Sequence, residues 1–434
     1  MPTRHTAIFN LRRKQRGAAL MIMIVILVTG AASALVGALS TTALKNARQE
    51  TTANALAQAK DALIGYAVKV QVSSSDIACA DPPTYANPNC QRPGDLPCPD
   101  MDNDGDAESN CGDASGSNQY KRLGRLPWKT LGLPDLRDGS GERLWYAVSN
   151  NFKNSSRTKC SNSNLAGCLN SDTVGTISIF GSDGSVLNTG NTSTGAVAVI
   201  IAPGDGLQRQ DNVSQTRGCT VGVDCDVTDK CTSASPNTVP KCNPMNYLDI
   251  ATVGGNTEDN ANFTDGSSTN GFIQGKINDN NGNIVLNDQL LVITQENIMQ
   301  PIQKRVAAEV KNCLIAYAAI TQNNSYYPWA AVRTIVSGTA TYPDTSNLYF
   351  GRVPDQPFND TRSDSCNDTS GCDLWNPSEG MKNVWGTTCT LNNTNWWVNW
   401  KEMVFYGLAS SLRPHDLDHN HVCPGSNCLT VNPL

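Results

Sequence analysis

Seven consecutive residues, Asp100-Met101-Asp102-Asn103-Asp104-Gly105-Asp106, place oxygen-bearing side chains at alternate positions, with a glycine where a loop must turn sharply. Calcium and other hard cations are held by oxygens at that spacing in the first half of an EF-hand loop. The pattern then departs from such a loop, because its twelfth position is Cys111 and not a bidentate Glu. Glu108, or an oxygen from elsewhere, would have to complete the shell. Asp100, Asp102, Asp104, Asp106 and Glu108 are therefore the candidate calcium ligands, and the alternative is a solvated acidic turn. A second group, His415, Asp416, Asp418, His419, Asn420 and His421, holds three of the four His in the chain. Those side chains can ligate zinc or another cation; the alternative is a solvated polar tail after Pro414.

Catalytic signatures are missing. The chain contains no GxSxG elbow, no HExxH and no phosphate loop of the form GxxxxGK followed by Ser or Thr. No His lies between His5 and His415, which leaves a Ser or Cys nucleophile without a base over most of the chain. The expectation is a protein that is not an enzyme and has no catalytic residue.

All 16 Cys lie between Cys79 and Cys428, in an even number, the usage of a disulfide framework formed in an oxidising compartment. Spacing favours neighbours: Cys79 with Cys90, Cys98 with Cys111, Cys160 with Cys168, Cys219 with Cys225, Cys231 with Cys242, Cys366 with Cys372 and Cys423 with Cys428. Cys313 and Cys389 remain as one long-range pair. Connectivity does not follow from sequence alone. The rival, a structural zinc site, lacks any CxxC.

These groups must be positioned by elements that begin with a basic leader, Arg12-Arg13-Lys14-Gln15-Arg16-Gly17, running into Ala18-Ala19-Leu20-Met21-Ile22-Met23-Ile24-Val25-Ile26-Leu27. No charged residue follows until Lys45. As a helix, 18–44 would span roughly 40 Å, against the ~30 Å of a bilayer core. A secretory signal would have a shorter apolar run of roughly 7–15 residues and a small-residue cleavage site beyond it. Here the pattern continues through Ala55, Leu56, Ala59, Leu63, Ile64 and Ala67 without Pro, so one helix is expected from about 18 to about 70.

The leader, the Gly at its end, the small residue after it and the long apolar helix that turns amphipathic resemble the class III signal of type IV pilins and pseudopilins. The resemblance implies cleavage by a membrane peptidase between Gly17 and Ala18, on the cytoplasmic side, and methylation of the new N-terminus. It also raises the expectation of calcium, since several pseudopilins carry calcium loops. Most major pilins have Glu at the fifth mature position, whose carboxylate neutralises a neighbour's terminal amine; here that residue is Ile22. An unpaired buried charge costs several kcal/mol, so the resemblance is closest to minor pilins and pseudopilins, including those placed at filament tips.

The expected fold is α+β: a long N-terminal helix with a membrane half and an amphipathic half, small antiparallel sheets and disulfide-rich loops. Strands are expected at 144–148, 176–180 and 196–202, the last uniformly apolar and so buried within a sheet. Residues 205–283 are polar and Gly-rich and read as an exposed insertion stapled by Cys. A second helix, capped by Thr294 or Asn297, carries Ile298, Ile302, Val306, Val310, Cys313, Leu314 and Tyr317 on one face. Residues 60–67 and 311–318 share five identities in eight, Gly124-Arg125-Leu126-Pro127 answers Gly351-Arg352-Val353-Pro354, and Trp145-Tyr146 answers Phe405-Tyr406. Two duplicated pilin-like units would explain this; chance likeness of amphipathic helices is the alternative. Trp396-Trp397-Val398-Asn399-Trp400 reads as core or domain contact in preference to a ligand platform.

The expected organisation is a cytoplasmic leader over 1–17, a transmembrane or filament-core helix over 18–44, a first α+β unit over 45–204, the insertion over 205–287 and a second α+β unit over 288–434. Five basic and no acidic residues lie in the first seventeen, so the remainder of a chain of formal charge −6 carries −11. The basic flank predicts a single-pass inner-membrane protein, N-in, with a periplasmic domain and a place in a surface filament after assembly. The acidic exported part disfavours nucleic acid as a partner. The expected role is that of a minor pilin or pseudopilin in a type IV pilus or type II secretion filament, as a priming or tip subunit. Its partners would be other pilins, the prepilin peptidase, and a secreted substrate or surface receptor. The alternative is an uncleaved, anchored binding or adhesion protein.

Overall fold

The computed structural model describes residues 16–69, 93–108, 111, 122–153, 169–220, 222–223, 225, 228, 230–231, 241–262, 267, 269–319, 327–328, 330–332, 334–336, 339–341, 349–354 and 400–412. Helix α1, Arg16–Lys69, is 54 residues long. Its C-terminal half turns one stripe inward, Ala55, Leu56, Ala59, Leu63 and Ala67, at the spacing of one helical face. The alanines bring the rod close to what it covers. Helix α2, Gln295–Ala318, starts at the N-cap Thr294, whose N–H donates to Asn297 Oδ1 at 3.2 Å. It buries Ile298, Ile302, Val306, Val310, Cys313 and Tyr317 against the same core. Arg305 of α2 donates to the carbonyl of Val68, satisfying one of the terminal acceptors of α1.

The strands are short: β1 Leu123–Arg125, β2 Trp145–Val148, β3 Ile179–Phe180, β4 Val186–Asn188, β5 Ala196–Ala202, β6 Ile250–Val253, β7 Asn256–Asp259, β8 Phe272–Ile273, β9 Ile277–Asn278, β10 Ile284–Leu286, β11 Gln289–Thr294, β12 Thr334–Val336, β13 Thr339–Thr341, β14 Phe350–Arg352 and β15 Phe405–Gly407. The main sheet has the order β1-β2-β5-β11 and is antiparallel throughout. Strand β5, Ala-Val-Ala-Val-Ile-Ile-Ala, is buried at all seven positions. Val197, Ala198, Ile200 and Ala202 join the helices in one core. Val199 and Ile201 face the other way, toward Tyr247, Leu248 and Phe272. The 205–283 stretch is therefore more than an exposed loop: it forms β6 to β9 and caps the back of the sheet. A polar sequence achieves this by pairing its buried polar groups. Arg209, with no exposed side-chain surface, binds Asp211 and Asp259 at 3.1 and 2.9 Å.

The membrane-crossing half expected of α1 does not hold, and with it falls the single-pass, N-in inner-membrane placement. Among the described residues no helix is long and apolar enough to cross a membrane. The described apolar side chains of its exposed end, Met21 to Val28, are eight, about 12 Å of helix against a ~30 Å hydrocarbon core. The expected pilin-type fold with two duplicated units is corrected as well. Helix α2 packs on α1 and on β11 and shares one core with them, so among the described residues it carries no second helix-on-sheet unit of its own.

What the chain does build twice is a hairpin. In β1–β2, Gly124 pairs with Tyr146 and Arg125 with Trp145; in β14–β15, Gly351 pairs with Tyr406 and Arg352 with Phe405. Tyr146 donates its hydroxyl to the carbonyl of Pro97 at 3.1 Å, and Tyr406 donates to that of Pro328 at 3.0 Å. Three residues after each Pro, Asp100 and Ala331 exchange backbone hydrogen bonds with Arg125 and Arg352 respectively.

Contact between α1 and the 138–141 turn depends on the absence of a side chain. A Cβ at Gly139 would stand 2.3 Å from the carbonyl oxygen of Arg48, while the Gly139 N–H donates to Thr52 Oγ1 at 2.9 Å. Gly139→Ala is expected to push the helix off the turn and to cost about 2 kcal/mol, the scale of an overpacked contact. Denaturant unfolding of the full chain measures this; an unchanged midpoint would show that α1 is not seated there.

Candidate functional site

The acidic loop hangs from the first hairpin. Asp100 pairs with Arg125, the chain then turns through Asn103 at φ 64° and Gly105 at φ 92°, and a bond between Cys98 and Cys111 closes the loop. That bond uses the position where an EF-hand would have its Glu. Gly105 is required twice over, by its left-handed backbone and because a Cβ there would lie 2.7 Å from the Trp128 ring.

Of the five candidate ligands, Asp100, Asp102 and Glu108 can each bring an oxygen within 4.8 Å of the others. Asp104 and Asp106 stand outside this trio. Asp100 is buried and accepts from the N–H groups of Gly105 and Asp104 at 2.7 and 3.2 Å. Burial, then the charges of Asp102 and Asp104, push its carboxyl up to about 7. Lys230 places Nζ 2.7 Å from Asp104 and 3.7 Å from Asp102. Desolvation opposes ionisation of Asp104, but the Lys230 hydrogen bond and the Asp106 N–H outweigh it and hold its pKa below the usual value. Lys129 donates to the Asp104 carbonyl, and the Cys231 N–H donates to that of Asp102 at 2.7 Å. The Cys-rich segment with its bonds Cys219–Cys225 and Cys231–Cys242 is thereby docked on the acidic loop. The donor set fits a hard cation in part, since three carboxylates are about half of the six to eight oxygens calcium takes, with water left to supply the rest.

Sequence reasoning missed Lys230, which is 126 residues from Asp104. It also missed a pair of buried carboxyls. Asp288 Oδ2 accepts from the N–H of Asp249 and from Asn260 Nδ2, both at 2.8 Å, and its Oδ1 has no hydrogen-bond partner. Asp249 accepts from Asn287 N–H at 2.7 Å and from Gln215 Nε2 at 2.8 Å. Burial, then the nearby Asp249 charge, raises Asp288 well above the carboxylate range; burial raises Asp249 to about 6, against the pull of its hydrogen bonds and Arg217. The available signal was an Asp within or beside an apolar strand, as in Tyr247-Leu248-Asp249-Ile250.

Gly17 and Ala18 lie in the first turn of α1. Cys313 is disulfide-bonded. The remaining candidate cysteines, Cys79, Cys90, Cys160, Cys168, Cys366, Cys372, Cys389, Cys423 and Cys428, lie outside the described residues, as do the His415–His421 cluster and Trp396 to Asn399.

Calorimetric titration of the full chain with calcium tests the acidic loop. Heat of binding is expected at neutral pH and lost in Asp102→Ala. Lys230→Ala removes a competing ammonium and is expected to tighten binding about tenfold, one like-charge repulsion of order 1 kcal/mol in a half-exposed site; no calcium-dependent heat in either protein ends the cation reading. The carboxyl pair makes stability depend on pH. Because both folded-state values are raised, the stabilisation is complete below about pH 4, the unfolded carboxylate range, and lost as pH rises, for Asp249 through about 6. Asp100 pushes in the same direction. Asp249→Asn is therefore expected to remove only part of the fall in stability between pH 5 and 7.5, on the order of 2 kcal/mol, read from unfolding midpoints across that range; an unaltered slope would refute the pairing. No family model matches this chain, and no curated protein or solved structure matches it either.

Proposed function

We infer that this chain is a structural subunit of a filament of the type IV pilin or pseudopilin kind, entering it as a minor, priming or tip component. The observation that carries this reading is the state of α1. Its C-terminal half is locked into the core, whereas Met21 to Val28 on the same continuous helix are 53–73% exposed. Eight apolar residues exposed around the whole circumference of a rod are more than a monomer keeps in water. Burying each against like helices contributes on the order of 1 kcal/mol or more. A bundle of such rods gives all sides of the helix a partner, which a single flat docking surface does not. Ile22 suits this end for an apolar bundle without an internal ion pair. The sequence Arg16-Gly17-Ala18 supports processing by a prepilin peptidase, with the mature chain starting at Ala18. The acidic surface and the capped sheet of the globular part would remain outside the bundle, available to other pilins, a secreted substrate or a receptor.

Mass spectrometry of the mature chain is expected to find N-methylated Ala18 at the start. Ile24→Asp, which sets a charge among the packed rods, is expected to abolish incorporation into filaments while leaving the unfolding midpoint of the globular part unchanged. An intact leader, or incorporation of the Asp variant at the wild-type level, would overturn the reading.

A further inference from the structure

A cleft of about 910 Å³ opens beside α1, lined by Gln49 and Ala53 of the helix, by the β3–β4 turn, by the β8–β9 turn and by the stretch from Asn287 to Leu290. Its volume is at the upper end of the ~300–1,000 Å³ that small-molecule sites occupy. One wall consists of two turns fastened together. The Gly181 N–H donates to the Ser185 carbonyl at 2.8 Å, and Asp183 Oδ1 accepts from the Ser185 N–H and Oγ at 3.0 and 2.6 Å. Gly275, at φ 109°, brings the second turn so close that a Cβ there would lie 3.1 Å from Ser182 Cβ. The Gln274 N–H donates to the Phe180 carbonyl at 3.0 Å, which ties the β8–β9 turn to β3. Backbone and turn bonds hold this wall, and its longer side chains are left over.

Among the described residues the side chains of Gln49, Gln274, Gln289 and Lys276 have neither a hydrogen bond nor an ion pair. Asp183 uses Oδ1 for its turn and leaves Oδ2 unengaged; the Ser185 hydrogen bonds hold its carboxyl below the usual range, so it is ionised. Asp288, also on the lining, is fully buried with no hydrogen-bond partner for Oδ1, and burial, then the Asp249 charge, keeps it protonated well above the carboxylate range. One negative and one positive side chain thus face the cleft, which selects neither an anion nor a cation. No aromatic ring is among the described lining residues, so a planar aromatic ligand finds nothing to stack on. Amides that donate and accept, a carboxylate that only accepts and an ammonium that only donates together match hydroxyl groups, which do both. Leu187, 45% exposed, offers an apolar patch to the C–H face of a ring. We propose that this cleft binds a short neutral saccharide, its hydroxyls taken by Asp183, Lys276 and the three glutamines and one ring face laid on Leu187. Because these side chains are unpartnered in the free protein, binding breaks no hydrogen bond among them and displaces only water. The cleft is complete within one chain and does not depend on assembly into a filament.

The test is saturation-transfer-difference NMR on the full chain with maltotriose, cellobiose, lactose and N,N′-diacetylchitobiose, and with cadaverine and glutamate as charged probes. At least one of the sugars is expected to bind with a Kd of about millimolar or tighter. Its affinity is expected to fall about tenfold in Gln289→Ala and further in Asp183→Ala, where a charged acceptor is lost. The unfolding midpoint of Gln289→Ala is expected to match the wild type, because that side chain is exposed and its place in β11 is held by backbone pairing with Ala202. Gln289→Ala therefore decides the matter even where Asp183→Ala loosens its own turn. Absence of saturation transfer to all four sugars overturns the proposal, as does sugar binding that Gln289→Ala leaves at the wild-type level. Binding of cadaverine or glutamate in preference to every sugar also overturns it, since the cleft would then select for charge.

Discussion

A strand without a polar side chain cannot tolerate water on either face, and β5 is such a strand. Its burial at every position obliges the rest of the chain to supply two layers, one on each side. The helices α1 and α2 supply the first, and the 205–283 stretch supplies the second. Each layer is completed from residues far apart in sequence. Neither layer is an independent unit, which is why the sheet, and not either helix, is the natural centre of the molecule.

The second layer is polar by composition, and its cohesion comes from different physics. Where apolar residues are few, Arg209 with its two carboxylates and Asp288 with Asn260 and Asp249 satisfy one another inside the protein. Buried polar groups are tolerable only when such partners are supplied. Even so Asp288 keeps one oxygen without a hydrogen-bond partner, a cost that a protonated carboxyl bears more easily than a charged one. Arg125, held between Trp145 and Tyr247, fastens the two layers where their chemistry changes.

Features set by local periodicity were legible in the sequence. The inward face of α2 from Ile298 to Tyr317, the Thr294 cap and the buried strand at 196–202 follow from the spacing of apolar residues. The hairpin likeness was also legible, because Gly124-Arg125 and Gly351-Arg352 recur in the same order before their aromatic partners. What that likeness meant was not, since sequence similarity is silent on whether two copies of a motif share a core. The polar insertion was misjudged for a related reason: a low apolar fraction argues against a core of its own, yet Tyr247, Leu248 and Phe272 needed only a neighbour's sheet to cover. At the acidic loop the carboxylates were readable, whereas Lys230 and the Asp249–Asp288 pair arise from contacts across many residues, which no local window contains.

The close approach of Gly139 to Arg48 has a mechanical meaning. With Thr52 hydrogen-bonded into the same turn and an alanine-lined stripe pressed on the sheet below, α1 can neither roll about its long axis nor slip by a turn without a steric clash. The rod and the globule are therefore keyed together like a splined shaft in its hub, and torque applied at the far end reaches the sheet instead of being lost in a swivel.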